Sequence, residues 1–125
     1  MSRAERGSAV ADFVMVAGLV SFLFVGLLQL GFVLHTRNTL IASAAEGARL
    51  GARADATPDD GVARTRGLIA AQLSSRFAES VSSTEEVSGG IRVVVVHVEA
   101  PVPVIGPFGL GRDLRVSARA FSERQ

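Results

Sequence analysis

The chain has no cysteine, so neither a disulfide nor a thiolate metal site can brace it. It has no lysine either. All 13 basic residues are arginine, scattered from Arg3 to Arg124 among 12 acids, for a net charge of +1. That near-balance makes no strong basic field, and no basic run is interleaved with aromatics. Nucleic acid is therefore not an expected partner. Charge is missing altogether from one stretch. Phe13 to Leu34 reads FVMVAGLVSFLFVGLLQLGFVL, twenty-two residues in which Ser21 and Gln29 are the polar ones. As a helix it would extend about 33 Å, enough for a hydrocarbon core of about 30 Å. A core helix of a soluble protein would show a polar face, and this stretch shows none. We read residues 13–34 as a membrane span, with the lipid bilayer as its first partner.

Motifs for catalysis are missing too. There is no Ser/His/Asp grouping with a supporting motif and no paired-histidine metal spacing. Gly109-x-Gly111 lacks the third glycine and the following helix of a phosphate loop. Asp59 and Asp60 have no third ligand at useful spacing and read as helix-start electrostatics. His97 reads as a strand-edge residue and His35 as an interface residue. No enzyme, metal or cofactor is expected.

Before the span stands MSRAERG, then SAVAD. Asp12 is the odd residue. A carboxylate costs on the order of 2.5–3.5 kcal/mol at mid-bilayer and less at the interface. The positive end of the helix dipole offsets part of that. An interfacial Asp and a functional one both fit. The stretch Arg6-Gly7-Ser8-Ala9-Val10-Ala11-Asp12-Phe13 resembles the processing site of type IV pilin-like proteins. The apolar span and then Arg37-Asn38-Thr39 and Ala44-Ala45-Glu46-Gly47-Ala48-Arg49 make the closer resemblance to TadE-like proteins, over about residues 5–54. These are minor pilins or pseudopilins of Tad (Flp-type) pilus systems.

The resemblance implies a leader over 1–7, cut by a prepilin peptidase between Gly7 and Ser8. Asp12 then stands fifth in the mature chain, where the family usually has Glu. Its carboxylate would pair with the new amine of Ser8, on its own chain or a neighbour, and guide assembly. Removing Arg3, Glu5 and Arg6 takes basic residues from 13 to 11 and acids from 12 to 11. Further implied partners are other pilin, TadE- and TadF-like subunits and the pilus assembly platform. The implied location is the cytoplasmic membrane, N-terminus inside, with the C-terminal domain extracytoplasmic. Arginine counts on the two flanks do not decide that orientation. A major pilin is disfavoured, since those resemble a helix with little C-terminal domain.

A secretory signal peptide is a rival for this region, with Ala42-Ser43-Ala44 as its cleavage site. The apolar run exceeds the ~7–15 residues of such a signal, and the site lies well past its end. Beyond Leu34 the helix should continue to about 54, making one rod of about 65 Å from residue 10. Ile41, Ala45, Ala48 and Ala52 form a narrow stripe on it. Gly47-x-x-x-Gly51 offers a surface for close helix approach, as Gly18 does in the span. That surface could meet this chain's own C-terminal domain or another subunit.

A boundary follows at Asp55–Gly61, with Thr57 as N-cap, Pro58 at the first helical position and Asp60 three after the cap. The second helix is expected to reach about Val81, with Val62, Ile69, Leu73 and Phe77 on its apolar face. Ser82–Gly90 reads as a loop. Ile91–Ala100, with four consecutive valines, is the strongest strand. Val94, Val96 and Val98 fall on one face, and Ile91, Val93 and Val95 on the other. Pro101, Pro103 and the apolar segment through Leu110 break it. Leu114–Phe121 alternates and should pair antiparallel with 91–100. The expected fold is α+β: a long N-terminal membrane helix, a second helix, and a two- to three-stranded antiparallel sheet, in segments 1–7, 8–54 and 55–125. The competing function is an uncleaved single-pass protein whose outer domain binds a ligand or envelope partner.

Overall fold

The computed structural model describes residues 2–102 and 113–123. The element order is α1 (Arg3–Gly51), α2 (Pro58–Gln72), a 3₁₀ turn (Ser75–Ala78), β1 (Ser80–Ser88), β2 (Ile91–Pro101) and β3 (Asp113–Phe121). This is the expected α+β class, with three strands in the order β1-β2-β3, both pairings antiparallel. The chain divides into two compact units, Met1–Phe32 and Val33–Gln125. The first holds the N-terminal turns of α1, and every residue from Val10 to Leu28 is exposed.

The second unit is built around the inner face of the sheet. Val96, Val98 and Ala100 of β2, with Val81 of β1 and Val116 of β3, meet Ile69 of α2 and Leu40, Ala44 and Ala48 of α1. Period-two alternation puts Val94, Val96 and Val98 on one face, as expected. Val93 and Val95 on the other face are buried as well. Two long side chains account for this. Arg119 of β3 and Glu86 of β1 approach to 3.6 Å across the intervening β2. By register, Thr84 and Arg119 flank Val95, while Glu86 and Phe121 flank Val93. By register the aliphatic stems of the pair flank these valines on the outer face.

Four expectations need correction. The second helix stops at Gln72, not near Val81. Leu73 leaves helical geometry at φ −118°, ψ −93°. Ser74 and Ser75 follow, residues whose side chains compete for backbone partners. Ser82–Gly90 is mostly strand, not loop: β1 pairs with β2 from Ser80↔Glu99 to Ser88↔Ile91. Its polar composition suits an edge strand exposed along most of its length. Gly89 and Gly90, at φ 61° and 82°, make the two-residue hairpin turn that requires left-handed backbone at both positions. The buried stripe of α1 is Thr36, Leu40, Ser43, Ala44, Gly47, Ala48 and Gly51, with Ile41 exposed and Ala45 half-buried. It is rotated from the expected one, with Leu40 in place of Ile41 in the core and Gly47 and Gly51 against α2. Finally, α1 ends at Gly51. Glu123 closes that end: its backbone N–H donates to the Ala52 carbonyl at 2.7 Å, and its Oε2 accepts from the Ala54 N–H at 3.0 Å.

Pro101 is the last residue of β2, opposite Asp113, where a missing donor costs the ladder least. Pro103, Val104, Ile105 and Pro107 through Gly111 lie outside the described residues.

The start of α2 has the expected geometry. Thr57 Oγ1 accepts from the Asp60 N–H at 3.3 Å, and Asp60 Oδ2 accepts from the Thr57 N–H at 2.8 Å. Thr57→Ala removes one half of this capping box and should lower the stability of the C-terminal unit by about 1 kcal/mol. Thr57→Ser should be nearly neutral. Equal melting temperatures for Thr57→Ala and wild type would show that the cap contributes nothing.

Candidate functional site

Gly7, Ser8 and Asp12 all lie on α1, within the first compact unit, and all three are exposed. Ser8 and Asp12 are four residues apart, so they share a helix face. A β-carbon on Gly7 would meet nothing within 4 Å, and the same is true of Gly18. The bond from Gly7 to Ser8 sits inside the helix, not ahead of it, because α1 begins at Arg3. The segment Ser2-Arg3-Ala4-Glu5 has a capping-box spacing. In the structure Glu5 Oε2 accepts from the Ser2 N–H and Ser2 Oγ from the Glu5 N–H.

From Val10 to Leu28 the same helix presents Phe13, Val14, Met15, Val16, Leu19 and their neighbours outward on all sides. It is long and apolar enough to cross a membrane. Exposed to water such a surface is unfavourable, and in lipid it is not.

Gly47 and Gly51 sit in the second unit, where α2 of the same chain lies against them. A β-carbon on Gly47 would collide with Thr65 Oγ1 and the Gly61 carbonyl, and one on Gly61 with the Gly47 carbonyl. Gly51 is less tight, with Pro58 Cα and Thr57 O at 3.3 Å from its would-be β-carbon. Thr65 Oγ1 donates to the Gly61 carbonyl at 2.8 Å and lies 3.4 Å from that of Ser43. The backbones approach this closely because both facing helices carry glycine. Within Ala44–Arg49 the small residues Ala44, Gly47 and Ala48 are buried, while Glu46 and Arg49 are exposed.

The outer sheet face carries a shallow concavity at one end, lined by Ser80, Ser82, His97, Glu99, Arg115 and Ser117 among others. His97 Nε2 is 3.0 Å from Thr84 Oγ1, and Arg115 pairs with Glu99 at 3.4 Å. These contacts give His97 a structural partner. Among the described residues no three of His, Asp and Glu gather as a metal site.

A scan against family models matches the TadE-like protein family over residues 7–49. The match begins at Gly7 and ends two residues before the end of α1, so the strands lie outside it. No curated protein and no solved structure matches the chain. Among the described residues, one helix has the length and apolar composition to anchor the chain in a membrane. Over residues 7–49, the chain is similar to TadE-like proteins.

Proposed function

We propose that this chain is a TadE-like minor pilin or pseudopilin that takes part in assembling a Tad (Flp) type pilus or a related secretion apparatus. Its role is structural, not catalytic. A prepilin peptidase cuts between Gly7 and Ser8, residues 13–34 stay in the cytoplasmic membrane, and the C-terminal unit stands outside it. The new ammonium of Ser8 and the carboxylate of Asp12 then form a pair, within one chain or between neighbours. In low dielectric such a pair is strong, although desolvation takes much of it back. Neighbours would include other pilin, TadE- and TadF-like subunits and the assembly platform. Gly18, with open space around its α-carbon, offers a place for another helix to approach in the bilayer.

The observation that carries this reading is the family match itself. It opens at Gly7 and runs through an apolar helix whose residues Val10 to Leu28 are exposed. Intact mass of the protein from host membranes tests it. The expected product begins at Ser8. A chain that keeps MSRAERG while the host peptidase is active would leave a tethered extracytoplasmic domain with a different purpose.

A further inference from the structure

The residues ahead of Gly7 close the first turn of α1. Glu5 Oε2 accepts from the Ser2 N–H at 3.2 Å, and Ser2 Oγ accepts from the Glu5 N–H at 3.3 Å. The Arg6 N–H donates to the Ser2 carbonyl at 3.2 Å. This is a capping box, and it holds two amide donors that a helix end otherwise leaves unpaired. Gly7 and Ser8 follow directly, already inside the helix. There the Gly7 carbonyl is engaged by an amide four residues on, and the flanking backbone is coiled.

Endopeptidases take their substrates as extended chain, because the flanking amides must pair with the enzyme as a strand would. A helix from Arg3 onward withholds the Gly7–Ser8 bond in that form. The turn must open from its N-terminal end before cleavage, and the capping box opposes that opening. We propose that the Ser2–Glu5 capping box gates processing at Gly7–Ser8, so that the leader sets the rate of its own removal. This inference rests on the reading that the bond is cut. The reaction is hydrolysis: water adds to the Gly7 carbonyl carbon and the C–N bond breaks. Gly7 leaves with a carboxylate and Ser8 keeps an ammonium.

A helix end opens and closes in about a microsecond or less, far faster than proteolytic turnover. Cleavage then follows the equilibrium population of the open turn. Removing a capping side chain raises that population about fivefold. The cut also exchanges a capped end for an ammonium at the positive end of the helix dipole, an unfavourable placement. Asp12 is then the nearest acid along the chain, since the next is Glu46.

The test is a time course of cleavage of full-length protein in membranes carrying the active host peptidase, read by intact mass. Ser2→Ala and Glu5→Ala should be cut about fivefold faster than wild type. Ser2→Thr and Glu5→Gln keep the capping geometry and should match wild type, with Glu5→Gln also removing the charge. In the uncleaved protein, amides 5–8 should exchange hydrogen faster in Ser2→Ala. If wild type is cut and Ser2→Ala is cut no faster, or if amide exchange does not change, the gate is wrong and processing stands. If neither wild type nor any variant is cut while a control prepilin is, both the gate and the processing fall.

Discussion

Gly47→Val should leave the C-terminal unit largely unfolded. Its β-carbon would overlap Thr65 Oγ1 and the backbone carbonyl of Gly61. A side chain can swing away, but the backbone carbonyl of Gly61, in the first turn of α2, cannot. Relief would push α2 off α1, separating Ile69 from Leu40 and Ala44 in the core. Overpacking costs about 1–3 kcal/mol where neighbours can adjust and more where they cannot. A unit of this size has about 5 kcal/mol to lose at the low end. Gly61→Val should act alike, because it meets the Gly47 carbonyl from the other side. Gly51→Val should be milder. The control is Gly67→Ala, where the added carbon meets nothing within 4 Å. It should stabilise α2 by about 0.5–1 kcal/mol. Thermal unfolding by circular dichroism in detergent, with hydrogen exchange over Val94–Val98, reads all four. A Gly47→Val protein that melts with wild type would mean that α1 and α2 do not meet as described.

Asp12→Ala should abolish assembly without touching the fold. Asp12 is exposed, in the N-terminal unit, and outside the hydrophobic core. The melting curve of the C-terminal unit should therefore be unchanged. On the proposed reading, assembly places the carboxylate against an ammonium in a membrane. Removing one partner of such a pair costs on the order of 3 kcal/mol or more, about a hundredfold in association. Asp12→Asn should fail as Ala does, since shape without charge does not answer an ammonium. Asp12→Glu keeps the charge and should assemble. Cross-linking of subunits in membranes and pilus counts on cells give the readout. Normal piliation by Asp12→Ala would remove the carboxylate from the mechanism.

Most of the architecture was legible in the chain, for reasons that differ by element. The span is a run of consecutive apolar residues, and no local alternative competes with it. At the start of α2 the side chains of Thr57 and Asp60 bond to nearby backbone and Pro58 presets φ, so all three could be read without the fold. The valine strand and its antiparallel partner are strong period-two patterns. β1 was missed because its residues are Ser, Thr and Glu, which tolerate a strand and do not demand one. Its pairing to β2 decides the conformation. The Gly89-Gly90 pair was the available signal, two glycines between segments of hairpin length. The overlong second helix has the same origin: Leu73 and Phe77 continue a helical spacing, yet both pack on the core from outside α2. At the candidate site, Gly7, Ser8 and Asp12 came from the resemblance, and their shared helix is what the structure adds. The Ser2–Glu5 box is readable from its spacing of three, a polar pair ahead of an apolar run.

By itself, the sequence determined that this protein has a helix long and apolar enough to cross a membrane, where α2 starts, and that Ile91–Ala100 is a strand. Each follows from interactions between residues near one another in the chain. Tertiary structure alone decided which face of α1 is buried and what Gly47 is for. Ile41 and Leu40 are adjacent and equally apolar, and no local rule separates them. The core does so: Leu40 packs with Ile69 and the inner sheet face, while Gly61 and Thr65 lie against Gly47 and leave room there only for glycine.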